Sequence, residues 1–423
     1  MTTQADSTKW DVIIVGSGPG GATAAKELTR RNKRVLILEQ GRTAPRQEGF
    51  FSTASLFAGV TVGDNLWAPT AFTTGGATSV YFAVAGLPPV EALQVVGIDI
   101  SGEIDEVKRE LPISILPDEM LGEQALRVRD SATALGHQWQ KNAMLVDLSK
   151  CPDGYTYQSK WHARIFLQDA VAGGATLLTR ARVRKVLIDE GRAVGVEYGL
   201  FKGGVRIAVR RAYAERVILA AGAAHSPLIL RNSGMKNVGR DGFYCLPGFL
   251  VLGTVAGMNA RENYAACMGT GLEDGIALGD GNLARNMYRL TMLFNRRFRS
   301  AFQHSKSIGV AVLVRDSLGG GLQENSRYHK RLNPEEFAKL GRGEQAARRI
   351  LENAGARGIF KTKVGAVHMG GTIRLKEHLD ENLQTECINL HVCDGSVLPE
   401  STNMVSPTLT LVCLGKYLAK RLS

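Results

Sequence analysis

Blocks of apolar and polar residues alternate over the first forty positions, and they predict a strand, a helix and a second strand. Residues 12–15 are four consecutive β-favouring apolar residues, which is typical of a strand buried on both faces of a parallel sheet. A helix-favouring run with small residues follows at 22–28, and a second apolar run covers 35–38. This order predicts a βαβ unit with a parallel sheet.

A glycine-rich turn joins the first predicted strand to the helix. It carries G-x-G-x-x-G at Gly16, Gly18 and Gly21, and Glu39 ends the second strand. Gly16 allows the tight turn, Gly18 lets the backbone approach a pyrophosphate, and Gly21 lets helix and strand pack together. Free N–H groups at the helix start bind phosphates, and an acid at the position of Glu39 accepts hydrogen bonds from a ribose. The stretch predicts a dinucleotide site, but alone it does not separate FAD from NAD(P).

Farther along the chain the pattern becomes mixed. A long loop is predicted over 45–69, and a β-meander precedes a buried parallel-type strand over 216–222. A second, mostly antiparallel sheet is predicted from strand-like stretches in the second half. The predicted helices cover 101–110, 121–135, 163–171, 333–354 and 411–422, and the other predicted strands cover 176–178, 183–188, 194–198, 205–209, 249–255, 275–278, 290–294 and 308–314.

Length and charge narrow the classes of protein that fit. A chain of 423 residues is long enough for two domains with substantial cores. The net charge of +12 is spread out, which favours a solvated surface that attracts anionic substrates or cofactor phosphates over nucleic-acid binding. Membrane association is predicted to be weak at most. The polar first ten residues and the scattered cysteines predict no signal peptide and a cytoplasmic location.

Four sequence blocks occur in the order found in a known family. They are the glycine-rich turn with Glu39, the GGATS loop at 75–79, AAGAAHSP at 220–227, and HMGGT, VCDGSVLPE and SPTLT within 368–410. On these blocks the chain resembles the glucose–methanol–choline (GMC) oxidoreductases, which are FAD enzymes. The resemblance implies an α/β fold with a Rossmann-like FAD-binding domain and a second, mostly antiparallel-sheet substrate domain. The implied FAD-binding domain covers 1–87, 151–234 and 385–423, and the substrate-binding domain covers 88–150 and 235–384.

The same resemblance implies which residues hold FAD. The glycine-rich turn meets the pyrophosphate, Glu39 the adenosine ribose, Val183 the adenine, and the later blocks the ribityl chain and the isoalloxazine. The implied FAD-binding residues are Gly16, Ser17, Gly18, Gly20, Gly21, Glu39, Gln40, Arg42, Gly76, Ser79, Val183, Ala221, Gly222, Asp394, Gly395, Pro407 and Thr408. Some family members attach FAD covalently near the Gly-Gly loop. Because no His or Cys lies between 75 and 87, non-covalent FAD is predicted, and no metal site is predicted.

Oxidation of an alcohol needs a hydride acceptor, which the flavin provides, and a group that manages the hydroxyl proton. His368 matches the family's active-site histidine. The position that holds a second His or Asn in the family is Ser406 here, and Asn403 is near enough in sequence to substitute. Ser406 is interpreted either as a substrate contact or as a helix N-cap with Pro407 at the first helical position. His225 is interpreted as a spacer.

The leading hypothesis is therefore an FAD-dependent enzyme that oxidises a CH–OH group of a small, hydrophobic or cyclic alcohol, with His368 as acid/base. One alternative keeps the flavin but acts on a C=C bond as a reductase or desaturase, or acts as a lyase. Another is a non-catalytic flavin-binding protein. The electron acceptor (oxygen, a quinone or a protein) and the oligomeric state are left open.

Overall fold

The predicted βαβ unit opens the described part of the chain. The structure is a computed structural model that describes residues 9–45, 49–50, 53–54, 58–63, 66–399, 404 and 406–422. Val12, Ile13 and Ile14 have no exposed surface, and small residues of the first helix lie against the sheet. The apolar runs at 12–15 and 35–38 are thus both strands of the core, as the pattern predicts.

The helices and strands are numbered in chain order. The helices are α1 (Pro19–Arg30), α2 (Val90–Gln94), α3 (Ser101–Glu110), α4 (Gly122–Ala134), α5 (Arg164–Ala172), α6 (Ser226–Asn232), α7 (Arg285–Phe294), α8 (Pro334–Asn353) and α9 (Thr408–Arg421). The strands are β1 (Lys9–Val15), β2 (Val35–Leu38), β3 (Ala58–Gly63), β4 (Leu66–Thr70), β5 (Ile113–Ile115), β6 (Gln140–Lys141), β7 (Ala143–Leu145), β8 (Thr176–Leu178), β9 (Ala181–Asp189), β10 (Arg192–Lys202), β11 (Val205–Leu219), β12 (Pro247–Thr254), β13 (Met268–Leu272), β14 (Ile276–Asp280), β15 (Ser307–Val314), β16 (Gly321–Leu322), β17 (Tyr328–His329), β18 (Arg357–Lys361), β19 (Gly365–Ala366) and β20 (Leu390–Val392).

The first sheet has the strand order β8-β2-β1-β11-β10-β9, and β20 also pairs with β11. Strands β8, β2, β1, β11 and β20 run parallel, whereas β9 and β10 form the antiparallel meander. The pattern predicts two strands at 205–209 and 216–222, but β11 is a single strand. Its first half pairs with β10 and its second half with β1 and β20, so hydrogen bonding continues through the polar residues between them.

The second sheet has the order β3-β4-β19-β12-β15-β14-β13-β6, with β18 also paired to β12. Its pairs are antiparallel except for β19 with β4, as predicted for this part of the fold. The prediction of a long loop over 45–69 is wrong in its second half, because β3 and β4 pair with each other and β4 also pairs with β19. The second sheet thus takes two strands from the segment 1–87.

The stretch 290–294 is also predicted as a strand, and this is wrong. It forms the end of helix α7, in which Tyr288 and Met292 lie one helical turn apart and pack in a small core with Leu252 and Leu283. A run of five residues with four apolar side chains does not by itself distinguish a short strand from a helix end.

Three other helix predictions are confirmed or adjusted at the ends. Helix α3 has the predicted bounds, and α8 begins with a capping box in which Asn333 and Glu336 exchange side-chain and backbone hydrogen bonds. Helix α9 begins at Thr408, three residues before the predicted start, and nearly all of it is buried. Within the described ranges, no helix is both long and apolar enough to cross a membrane.

Candidate active site

A cavity of about 660 Å³ lies where the carboxyl ends of β1, β2 and β11 meet, which is the usual ligand position in a parallel sheet. Its volume falls within the roughly 300–1,000 Å³ of typical ligand and cofactor sites. All four sequence blocks contribute to its wall. The residues from the sequence prediction that line it are Gly16, Ser17, Gly18, Gly20, Glu39, Gln40, Gly76, Val183, Ala221, Gly222, His368, Asp394, Gly395 and Pro407.

The glycines of this wall divide into two kinds. A Cβ at Gly16 would lie 2.2 Å from the carbonyl oxygen of Ala220, and one at Gly20 would lie 2.2 Å from the carbonyl oxygen of Cys393. By contrast, a Cβ at Gly18 or Gly222 would meet no protein atom within 4 Å. The first kind is needed for packing between chain segments, whereas the second leaves room for a bound group to lie against the backbone.

Helix α1 points its first turn at the cavity. Gly18 is its N-cap residue and Pro19 its first residue, no side chain caps it, and its first turn contains no acid. The loop residue Gly76, with φ +56°, lies against Gly18, since a Cβ there would be 3.1 Å from the Gly18 Cα. Exposed N–H groups at a helix start, together with the helix dipole, favour an anion such as a pyrophosphate at this point.

Glu39 closes the far end of the cavity beyond the glycine-rich turn. Its carboxylate accepts hydrogen bonds from the Ser17 N–H at 3.2 Å, the Ser17 hydroxyl at 2.6 Å and the Gly41 N–H at 2.7 Å. Burial raises the pKa of this carboxyl, and the three donors counteract that effect. The Ser17 hydroxyl in turn accepts from the Gly75 N–H at 3.2 Å, so one hydrogen-bonded chain joins three of the loops that line the cavity.

Asp394 connects the loops at the opposite end. Its buried carboxylate accepts from the Gly222 N–H at 2.9 Å, from the Ser226 hydroxyl, and from the N–H and hydroxyl of Ser396 at 2.9 and 2.6 Å. Burial raises the pKa of Asp394, whereas these donors lower it. With so many donors directed at it, the Asp394 carboxylate serves to position the loops after β11 and β20.

His368 lies on the cavity wall in a segment fixed on both sides. The Val367 N–H donates to the carbonyl of Cys245 at 2.9 Å, and Gly370 pairs with Tyr244 through two hydrogen bonds of 3.2 Å. The next residue, Met369, places its carbonyl oxygen 3.1 Å from the position of a Cβ on Gly395. The histidine is therefore held by the second sheet against the loop that follows β20.

Some residues of the sequence prediction lie off the cavity wall. Gly21 packs beneath it, with a Cβ position 2.4 Å from the Gly16 carbonyl oxygen, and Arg42 lines an adjoining cavity of about 980 Å³. The Ser79 hydroxyl donates to the Thr74 carbonyl, and Thr408 is buried in the first turn of α9. Ser406 is half-buried and does not line the cavity.

The prediction that Ser406 could be a helix N-cap is wrong. The N-cap position of α9 is taken by Pro407, and no side chain caps the helix there. Asn403 lies outside the described residues.

Three residues that the sequence prediction did not assign to the cofactor also line the cavity, namely Arg182, Arg184 and His225. The arginines flank Val183 in β9, and a basic residue on each side of that position was the available signal. The His225 ring meets the Phe72 ring edge-on at a centroid distance of 5.3 Å. Burial, followed by the charge of Arg182, lowers the pKa of His225 to about 4, so its imidazole is neutral at pH 7.

Two family profiles and several known proteins match this chain. The family profile described as GMC oxidoreductase matches residues 104–244, and a profile of an NAD(P)-binding Rossmann-like domain matches residues 14–44. A GMC-type oxidoreductase of Mycobacterium tuberculosis is 30% identical over 256 residues, which cover 54% of this chain and 40% of that protein.

These matches make the chain similar to GMC oxidoreductases. It spans less than half the length of the first curated relatives that it matches. The 2-methyl-1,2-propanediol dehydrogenase of Mycolicibacterium austroafricanum is 25% identical, and that match covers all of this chain and 97% of the dehydrogenase. The crystal structure of pyridoxine 4-oxidase from Mesorbium loti has the same fold, with a TM-score of 0.71 at 14% identity over 98% and 99% of the two chains.

FAD is the cofactor that the similarity to GMC oxidoreductases supports, and the cavity meets the demands of a dinucleotide at several points. The uncapped start of α1 suits the pyrophosphate, and the open backbone at Gly18 and Gly222 leaves room for it. The carboxylate of Glu39 suits a ribose diol. Arg182 and Arg184 add positive charge along the same wall.

Proposed function

We propose that this chain is an FAD-dependent oxidoreductase that oxidises a CH–OH group of a small, hydrophobic or cyclic alcohol, with His368 as the acid/base. The observation that carries the proposal is that His368 lines the same cavity as the uncapped start of α1, Glu39 and the Asp394-Gly395 loop. Bound FAD would supply the hydride acceptor, and the role of the protein is to position the substrate and to manage its hydroxyl proton.

His368 is the group on this wall best suited to that proton. An imidazole has an unperturbed pKa of roughly 6.5, so it can accept a hydroxyl proton near neutral pH and return it to water. Asp394 is occupied with four donors, and Glu39 lies beyond the glycine-rich turn. A positioned general base of this kind contributes about 10²–10⁴-fold to the rate.

We propose binding residues for each end of the cofactor. Gly16, Ser17, Gly18 and Gly20 would hold the pyrophosphate, and Glu39 the adenosine ribose. Gly76, Asp394, Gly395 and Pro407 would surround the flavin end. We further propose that FAD is bound without a covalent link, since the loop 75–87 has no His or Cys.

Anaerobic mixing of the holoenzyme with a panel of primary, secondary and cyclic alcohols tests this proposal. We expect at least one alcohol to bleach the flavin absorbance near 450 nm, about the usual flavin maximum, with a rate that saturates as the alcohol concentration rises. A flavin that binds stoichiometrically but is bleached by no alcohol would contradict the proposed reaction.

A second function is favoured by one observation. The position at which a second His or Asn is expected is Ser406, and it does not line the cavity. Chemistry on a C=C bond needs a hydride donor and a single proton donor, and His368 alone could fill the latter role. If chemically reduced holoenzyme is reoxidised anaerobically by an activated alkene and by no carbonyl compound, this alternative replaces alcohol oxidation.

A further inference from the structure

Three exposed phenylalanine side chains lie in the segment 294–302, whose inner face packs against Leu252 of β12. Phe294 ends helix α7, and Phe298 and Phe302 belong to the 3₁₀ segment that follows it. Their side chains are 61%, 61% and 83% exposed. Single exposed apolar side chains are common, but three large rings within nine residues form a patch that marks an interaction surface. We call these rings, together with Arg296 and Arg299, the Phe/Arg patch.

The chain segment that carries the patch has basic residues and no acidic ones. Residues 281–315 contain seven Lys and Arg residues and no Asp or Glu. Within the described ranges, Arg296, Arg299 and Lys306 make no ion pair with a carboxylate. The Glu262 carboxylate accepts the backbone N–H of Arg285, at the opposite end of α7 from the patch. The positive charge beside the rings is therefore available to an anionic partner.

Packing and hydrogen bonds fix the segment that carries the patch. Tyr288 and Met292 bury the other face of α7, and the Tyr288 hydroxyl donates to the Ser300 carbonyl at 3.0 Å. The Asn295 side chain accepts the Lys363 N–H at 3.1 Å, and the Arg297 guanidinium stacks on the Phe360 ring at 4.1 Å. Because the inward face of α7 is already packed, the exposed rings are not needed to complete the hydrophobic core.

The position of the patch relates it to the active site. The Phe294 ring lies 6.1 Å from that of Trp67, which is itself partly exposed in β4. Two residues after Trp67, the same strand reaches the cavity wall at Pro69, a distance of about 7 Å along a strand. Trp67 also pairs with Gly365 of β19, and His368 follows three residues later. A surface that held the patch would lie close to the cavity.

We propose that the Phe/Arg patch docks this protein onto an anionic lipid surface. Exposed aromatic side chains that lie beside arginines, on a segment whose other face is buried, resemble the arrangement found in proteins that lie in the membrane interface. The rings enter the boundary between headgroups and acyl chains, and Arg296 and Arg299 meet the lipid phosphates. The inference goes beyond the proposed reaction and does not depend on it. It also sharpens the sequence expectation that membrane association is weak at most.

Co-sedimentation of the holoenzyme with vesicles tests the proposal. Vesicles of phosphatidylcholine with about 30% phosphatidylglycerol are expected to bind the protein, and pure phosphatidylcholine at least roughly tenfold less, since each basic residue near an anionic surface adds to the attraction. Sodium chloride at about 0.5 M is expected to reverse much of the binding through screening. The variants F298S/F302S and R296E/R299E are each expected to lower the apparent partition coefficient by at least about tenfold.

A matched control distinguishes binding through the patch from nonspecific binding through charged or apolar side chains elsewhere on the surface. Phe337 in α8 is 58% exposed, and Arg210 is exposed in β11, so F337S/R210E makes comparable changes elsewhere on the surface. This control is expected to bind vesicles as wild type does. Equal losses in the control and the patch variants would overturn the proposal. So would an absence of vesicle binding combined with self-association that the patch variants abolish, because the occupant would then be a second copy of the chain.

A second readout reports the orientation at the lipid surface. Trp67 is the exposed neighbour of Phe294, whereas Trp139 and Trp161 are buried. Brominated phosphatidylcholine in the anionic vesicles is expected to quench part of the tryptophan fluorescence, and W67F to remove the quenched part. Quenching that is unchanged in W67F would place another face of the protein on the lipid and contradict the proposal.

Discussion

The glycine-rich end of the first sheet and the edge of the second sheet are built in different ways. In the first, β1, the turn and α1 are adjacent in sequence, and the turn takes its shape from a few local glycines. In the second, β4 pairs with β19, which lies some three hundred residues later along the chain. Local patterns therefore predict the strand, turn and helix of the first region, whereas the edge of the second sheet depends on contacts that are distant in sequence.

Two glycines of the turn offer the largest test of this difference. Gly16 has φ +100° and a Cβ position 2.2 Å from the Ala220 carbonyl oxygen, whereas Gly18 has an ordinary negative φ and open space. We expect Gly16→Ala to destabilise the protein by about 3 kcal/mol or more, because it combines backbone strain with a clash against main chain. Urea unfolding, followed by circular dichroism, measures this loss.

Gly18→Ala is the matched variant. We expect the stability of its apoprotein to stay within about 0.5 kcal/mol of wild type, because the new methyl group meets no protein atom. Its affinity for FAD should fall at least roughly tenfold, since the methyl group would occupy ligand space. Unchanged FAD affinity in G18A would mean that the pyrophosphate lies elsewhere.

The pH dependence of the free energy of unfolding should reflect Asp280 in the second sheet, a fully buried carboxyl at the end of β14. Burial raises its pKa to about 7, although it accepts the Met268 N–H at 2.7 Å. The folded state then keeps a proton that the unfolded state releases near pH 4, so stability falls as pH rises through this range. We expect a loss of about 2.5 kcal/mol between pH 5 and 8.

Asp280→Asn checks this expectation, because an amide oxygen can still accept the Met268 N–H but does not titrate. The variant's free energy of unfolding should be flatter than that of wild type over this range. Parallel curves for the two proteins would show that Asp280 is already ionised at pH 5.

In the first region, His162 should make the free energy of unfolding depend on pH in the opposite direction. Its Nδ1 lies 2.6 Å from the Thr78 carbonyl oxygen, beneath the Gly76 turn, and burial, followed by the charge of Lys160, lowers its pKa to about 4. In the unfolded chain His162 takes up a proton near pH 6.5, whereas in the folded chain it stays neutral until the pH falls to about 4. The stability of the fold therefore falls as the pH is lowered. Between pH 7 and 5 we expect a loss of about 2 kcal/mol from this residue.

His162→Gln keeps a donor for the Thr78 carbonyl and removes the titration. The variant should lose about 2 kcal/mol less than wild type over the same acid range. Equal acid sensitivity would mean that His162 accepts a proton in the folded state, with both of its carbonyl neighbours as acceptors.

The parts of the fold that the sequence predicted are those in which local pattern and environment agree. Val12 to Val15 form a continuous apolar run because both faces of β1 are covered. The stretch 290–294 misled the prediction because Tyr288 and Met292, one helical turn apart, find their partners in Leu252 and Leu283. Strand β4 was missed although it pairs with the adjacent β3, because Pro69 within the run argues against a strand.

The site was predicted in a similarly uneven way. Residues that follow strands of the first sheet, such as Glu39 and Asp394, line the cavity together, because parallel strands end at one edge. His225 was not assigned to the cofactor, since nothing in its local pattern distinguishes a cavity wall from a surface, and the basic residues that flank Val183 were not used as a signal. The position of Ser406 depends on where α9 begins, and that start lies three residues earlier than the apolar pattern indicates.

The most direct test of the central claim is the rate of anaerobic flavin reduction by an alcohol that the wild-type enzyme oxidises. This rate is compared among wild type, His368→Ala and the control His137→Ala. His137 lies in the loop after α4 and is absent from the cavity wall. We expect H368A to bind FAD normally and to reduce it about 10²–10⁴-fold more slowly, and H137A to match wild type. An H368A variant that binds FAD and reduces it as fast as wild type would contradict the role assigned to His368.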